Sequence, residues 1–206
     1  MFLKRQDPHT LAVSMTGVKM GDQIVQVGCA HGGRLAAVAG KVGLSGRAVV
    51  VAPDESSAAR ARAGAADAGV LVEIEVAPPT RLPLENERFD LAVVDDTAGL
   101  LGTMRAGDRV AAIRELLRVL RPGGRVMIVG AAPRAGLGAL LSRTQSGPPF
   151  AASGDAIKAL EADGFRSARV LAEREGLAFV EAIKPREGGQ AGRAGPPAFP
   201  ALNGRK

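Results

Sequence analysis

The segment IVQVGCAHGGRLAAVAG (24–40) gathers the residues best suited to hold a ligand. An apolar run that enters a glycine-rich turn and then an alanine-rich helix lets backbone approach a ligand closely. Gly28, Ala30 and Gly33 satisfy the GxAxxG spacing of dinucleotide-binding turns, so nicotinamide or flavin binding stays open from this turn alone, as does a tight turn without a ligand. Asp95 and Asp96 close another apolar run at the edge where open α/β sheets bind ligands, and could line a pocket or sit in a solvated turn. Cys29 reads as a small buried side chain, because no base partner is identifiable. His31 reads as an exposed loop residue, and with His9 it lacks metal-ligand spacing, so no metal is expected. No catalytic residue is legible.

The elements that must position these residues alternate between β-rich and helical patterns, the mark of βαβ units around a parallel sheet. Strands are expected at IVQVG (24–28), AVVVA (48–52), VLVEIEV (70–76), FDLAVVD (89–95) and RVMIVG (125–130). Near-continuous apolar runs such as AVVVA imply burial on both faces. Helices are expected at 34–42, at 55–68 with Asp54 as N-cap and Gly69 as its end, and at 108–120, where Val110, Ile113, Leu116, Leu117 and Leu120 recur at helical spacing. Pro122, Gly123 and Gly124 should stop that helix and turn the chain into the fifth strand. The stretch APPTRLPLENER (77–88) has three prolines and no helical period, and reads as a loop over the sheet edge. After a Gly/Pro-punctuated stretch (133–149), a last helix (154–163) leads to two runs that flank Arg174, Glu175 and Gly176, which reads as an antiparallel hairpin.

With 206 residues and 46% hydrophobic content, the chain suits one domain. That domain is placed at 1–185, with a basic, Gly/Pro-rich, disordered tail at 186–206. Of the net charge of +6, the segment after Ile183 contributes +4 (Lys184, Arg186, Arg193, Arg205 and Lys206 against Glu187), which leaves +2 for the rest. The absence of Trp and Tyr removes the usual stacking platforms for single-stranded nucleic acid, so no specific nucleic-acid partner is expected. A single cysteine excludes an intrachain disulfide and fits a reducing compartment. MFLKRQDPHT lacks the apolar stretch of a signal peptide, and no apolar run reaches membrane-spanning length, so a cytoplasmic location is expected.

Taken in order, VQVGCAHGG, LPLENERFDLAVVDD and ELLRVLRPGGRVMIV resemble the motifs of class I S-adenosylmethionine-dependent methyltransferases, over roughly residues 8–184. The small members from ubiquinone and menaquinone biosynthesis are the most similar type. The resemblance implies a Rossmann-like α/β fold with a seven-stranded, mostly parallel sheet in the order 3-2-1-4-5-7-6, strand 7 antiparallel. It also implies S-adenosylmethionine as cofactor, with Gln26, Gly28, Cys29, Ala30, Gly32, Ala52, Asp54 and Asp95 as the contacting positions. Three family acids are missing. Gln26 stands at the acid of the turn, Ala52 followed by Pro53 at the ribose-binding acid, and Ala77, Pro78 and Pro79 at the adenine-binding aspartate. Asp54 is the nearest substitute for the ribose contact. The implied function is methyl transfer to a small molecule, with a catalytically inactive binding or scaffold protein of the same fold as the alternative. A nucleotide-dependent oxidoreductase ranks behind both, because Ala52 offers no acid and the closing hairpin is foreign to it. Met15 and Met20 could cover the cofactor cleft or pack a helix. The methyl acceptor and the oligomeric state are not legible.

Overall fold

A computed structural model describes residues 9–132 and 149–186. The described elements are α1 (Thr10–Thr16), β1 (Gln23–Val27), α2 (Gly32–Ala39), β2 (Arg47–Ala52), α3 (Glu55–Ala68), β3 (Glu73–Val76), β4 (Phe89–Asp96), α4 (Ala106–Val119), β5 (Leu120–Ala131), α5 (Asp155–Ala162), β6 (Arg166–Arg174) and β7 (Leu177–Ile183). The strands form one sheet in the order β3-β2-β1-β4-β5-β7-β6. The pairs β1–β2, β1–β4, β2–β3 and β4–β5 are parallel, and β7 runs antiparallel between β5 and β6. The expected strand order is therefore the observed one. The 133–148 stretch and the tail from 187 onward lie outside the described residues.

Strand alternation sends successive side chains to opposite helix layers. Val25, Val27, Val49, Val51, Ala92 and Val94 pack with Ile113, Leu116 and Leu160 under α4 and α5. On the other face, Ile24, Leu91, Val93 and Val129 pack with Ala12 of α1 and Val38 of α2. Removing each such Val or Ile side chain from water contributes roughly 1.5–3 kcal/mol. Both faces of the central strands are thus filled, which is why their sequences read as unbroken apolar runs. At α2 and α3, a Cβ on Gly64 would lie 2.3 Å from the backbone of Gly32, so the two helices cross where neither carries a side chain.

Two expectations are corrected. The third strand begins at Glu73 rather than at Val70, because Gly69 in the left-handed conformation caps α3 and Val70 N–H donates to Ala65 O, which draws Val70 onto the helix end. The LRPGG segment belongs to β5 as an excursion of the strand rather than a turn before it. Leu120 pairs with Phe89, and Arg125 is the next residue in register, opposite Leu91. Gly123, at φ 80°, donates to Lys184 O, and Lys184 donates back to Gly124 O. The helix before it covers 106–119 and α2 covers 32–39, each displaced slightly from the expected span. The hairpin at 174–176 is present, with Glu175 and Gly176 both at positive φ.

Candidate functional site

β1 ends at Val27, and Gly28 turns the chain at φ 79°, a conformation that favours glycine. The turn opens on a cleft of about 240 Å³ at the carboxyl edge of β1, β2 and β4. Gly28, Cys29 and Ala30 form its floor, Asp54, Ser57 and Arg60 one wall, and Asp95 with the 98–103 loop the other.

The Gly28, Cys29 and Ala30 amides of the turn each have a partner. Gly28 N–H donates to Val51 O at 2.9 Å, tying the turn to β2. Cys29 N–H donates to Ser57 Oγ at 2.9 Å, and Arg60 Nε donates to Cys29 O at 2.8 Å, so the first two turns of α3 grip the loop. Ala30 N–H donates to Asp95 Oδ2 at 2.9 Å. His31 is the N-cap of α2, its Nδ1 accepting from Arg34 N–H at 3.4 Å, while its ring meets that of His9 edge-on at 4.8 Å.

Asp95 and Asp96, adjacent in sequence, point to opposite faces. Asp95 turns toward α2, where Oδ1 accepts from Arg34 Nη2 at 2.7 Å and Thr97 Oγ1 at 2.6 Å. Burial opposes its charge, but the Arg34 guanidinium and the Thr97, Arg34 and Ala30 hydrogen bonds outweigh it and hold the carboxyl below its usual range. Asp96 faces the other layer and accepts from Leu101 N–H at 2.6 Å and Gly102 N–H at 3.3 Å, which fixes the loop after β4. Burial raises its carboxyl above the usual range, although those two N–H groups pull the other way. The Cys29 thiol is pushed up to about 11 by burial and by the Asp95 charge, with Arg60 and Arg34 offsetting part of it. A thiol so held stays protonated and is no nucleophile at neutral pH.

Of the positions singled out from the sequence, Gly28, Cys29, Ala30, Asp54 and Asp95 line the cleft, and Gln26, Gly32 and Ala52 do not. Gln26 is buried on the α1 side, where its Nε2 donates to Gly28 O at 2.9 Å. Gly32 is closed off by the backbone of Arg60 and Gly64. Ala52 has no exposed surface, and Pro53 reaches the cleft in its stead. Asp54 caps α3 through Oδ1, which accepts from Ser57 N–H at 2.7 Å. Met15 packs against α1's neighbours, and Met20 is exposed, away from the cleft.

Ser57, Arg60, Arg34, Thr97 and Leu100 were not singled out from the sequence. Ser57 and Arg60 carry a signal in retrospect, three apart on the first turns of the helix after β2, facing the turn. Leu100 carries none. Its Cδ2 lies 2.8 Å from where a Cβ on Gly28 would be, so it rests on the floor of the cleft. Among the described residues no group of three or more His, Cys, Asp or Glu could hold a metal, and no helix is long and apolar enough to cross a membrane.

Residues 24–124 match the family model of a methyltransferase domain. The chain is 29% identical over 119 residues to a ubiquinone/menaquinone biosynthesis C-methyltransferase of Pseudomonas putida, over 57% of this chain and 44% of that protein. It thus spans less than half the length of the curated relatives it matches. Among solved structures it is similar to an S-adenosylmethionine-dependent methyltransferase from Aquifex aeolicus, with TM-score 0.66 and 20% identity over 85% of this chain and 89% of that one. It is also similar to the [4+2]-cyclase SpnF, with TM-score 0.64 and 19% identity over 86% and 80% of the two chains.

Proposed function

We propose that this chain, which belongs to the class I S-adenosylmethionine-dependent methyltransferases, binds that cofactor in the cleft beside Gly28 and directs its methyl group to a small molecule. The observation that carries the reading is the glycine turn at the carboxyl end of the central strand, open to a cleft that Asp54 and Asp95 line. The residues fit the ligand in kind. Gly28 keeps the floor free of a side chain of its own, Asp54 offers an acceptor for hydroxyls, and Asp95 holds the turn through the Ala30 amide. When bound, the cofactor supplies an electrophilic methyl group. The chain's part is then alignment and exclusion of water, which needs no dedicated base when the acceptor is already nucleophilic. A cytoplasmic setting and a small-molecule acceptor go with this reading, since the chain outside its tail is nearly balanced in charge.

The crowding of the cleft favours a second reading, a non-catalytic or differently employed protein of the same fold. Leu100 rests against Gly28, the Cys29 and Ala30 amides are occupied from within, and the cleft volume falls below the roughly 300–1,000 Å³ usual for ligand pockets. A cyclase among the structural neighbours makes the same point, because a fold does not fix a reaction. Calorimetric titration with S-adenosylmethionine and S-adenosylhomocysteine separates the two. The methyltransferase reading expects saturable one-site binding of both. Absence of heat and of thermal stabilisation at millimolar ligand would transfer support to the second reading.

A further inference from the structure

Among the described residues five large apolar side chains stand exposed, and three of them gather in one place. Leu44 is 97% exposed and Leu71 81%, and both stand on the wall of a groove of about 550 Å³. Met20, also exposed, reaches the same turn, its Cγ 3.6 Å from where a Cβ on Gly43 would be. The groove exists because glycines close the two helices around it. Gly40 ends α2, Gly69 ends α3 in the left-handed conformation, and the chain returns to β2 through Gly43 and Gly46, so all four of these lining positions lack a side chain. The apolar lining runs inward through Val70 and Val72 to the buried Val42 and Ala48 of the core. It opens at the amino edge of the sheet, where Arg47 begins β2, whereas the cleft beside Gly28 lies at the carboxyl edge. Scattered apolar side chains are ordinary on a monomer, but knobs gathered beside an apolar recess mark a contact surface.

The charges decide what covers it. Of the lining residues only Arg47 and Glu73 are charged, and they pair at 2.6 Å with side chains 40% and 56% exposed. One cation and one anion leave the patch without net charge, so neither an acidic nor a basic partner gains overall from it. A second copy related by a two-fold axis does gain. It sets each Arg47 against the other chain's anion and each Leu44 against the other chain's recess, because an isologous contact needs projection and recess on one and the same patch. We propose that this groove is a homodimer interface, in which Leu44 of each protomer enters the groove of its partner beside Leu71 and exchanged Arg47–Glu73 pairs close the rim. Exposed pairs of this kind add little affinity, and their part is to fix the register of the two copies. Association by this edge leaves both clefts beside Gly28 open, and it stands independently of the functional reading.

Sedimentation equilibrium on the full-length chain tests this. The wild type should show a monomer–dimer equilibrium at concentrations up to about 100 µM. Leu44→Lys changes a side chain that touches little of its own fold, and should weaken association by about tenfold or more at an unchanged melting temperature. Arg47→Glu and Glu73→Arg each set like charges across the interface and should weaken it separately, while an equal mixture of the two variants should associate more tightly than either alone. A patch built for a different protein or for a lipid surface would show no such rescue. A wild type that stays monomeric throughout that range, a dimer indifferent to Leu44→Lys, or a mixture no tighter than its parts would each overturn the proposal.

Discussion

Pro53 occupies the cleft wall where the resemblance expects a carboxylate, while Ala52 beside it has no exposed surface. An aspartate at Ala52 would bury a charge in a packed strand end, but an aspartate at Pro53 would stand on the cleft. Pro53→Asp is expected to tighten S-adenosylmethionine binding by about tenfold or more by titration, through a charged acceptor for the ribose hydroxyls. Asp54→Ala should lower stability by about 0.5–2 kcal/mol through loss of the cap, and should weaken binding less in the Pro53→Asp background than in wild type if both acids serve one ribose. Equal effects in the two backgrounds would leave Asp54 with the cap alone. At this scale the sequence shows which residue types gather around the turn, and Asp54 as a cap is legible from its place before the helix. What it hides is direction. Asp95 and Asp96 read as a pair, yet a period of two parts them, one toward Arg34 and one toward the Leu101 amide. A one-residue shift in register at β2 likewise decides between Ala52 and Pro53.

Among the elements, those with a strong period and clear punctuation are legible: α3 with Asp54 before it and Gly69 after it, and the hairpin at Glu175 and Gly176. The errors fall where a tertiary partner redefines a local signal. VLV (70–72) has strand composition but its first residue completes the end of α3, and LRPGG looks like a stop but is stitched into β5 from both sides by Phe89 and Lys184. The short helix α1 has little internal support. It is held at its end by Arg125, whose Nη2 donates to Thr16 O at 3.2 Å and Gly17 O at 3.1 Å while its Nη1 donates to the buried Glu181. Glu181 keeps a second partner in Arg169. Arg125→Met should therefore release α1 without unfolding the sheet. Hydrogen exchange is expected to accelerate about tenfold or more across 10–16 and to stay unchanged in β4. Uniform loss of protection would show that the clamp supports the whole fold and not this helix.

For the molecule as a whole, the order of the sheet follows from the βα alternation, the closing hairpin and the family motifs, and each of these is written in the chain. The state of the cleft is not. Leu100 meets Gly28 only once β4 has paired with β1, some seventy residues apart in the chain, so no local pattern announces that contact. The cofactor, on the proposed function, binds in the space they share, with Leu100 giving way. The most direct measurement is an amide NMR titration of isotope-labelled full-length chain with S-adenosylhomocysteine. Saturable shifts are expected at Gly28 to Ala30, at Asp54 to Arg60 and at Asp95 to Thr103, with the amide of Leu100 among the largest. Saturating ligand that leaves these amides unmoved, or moves only residues outside this cleft, would contradict it.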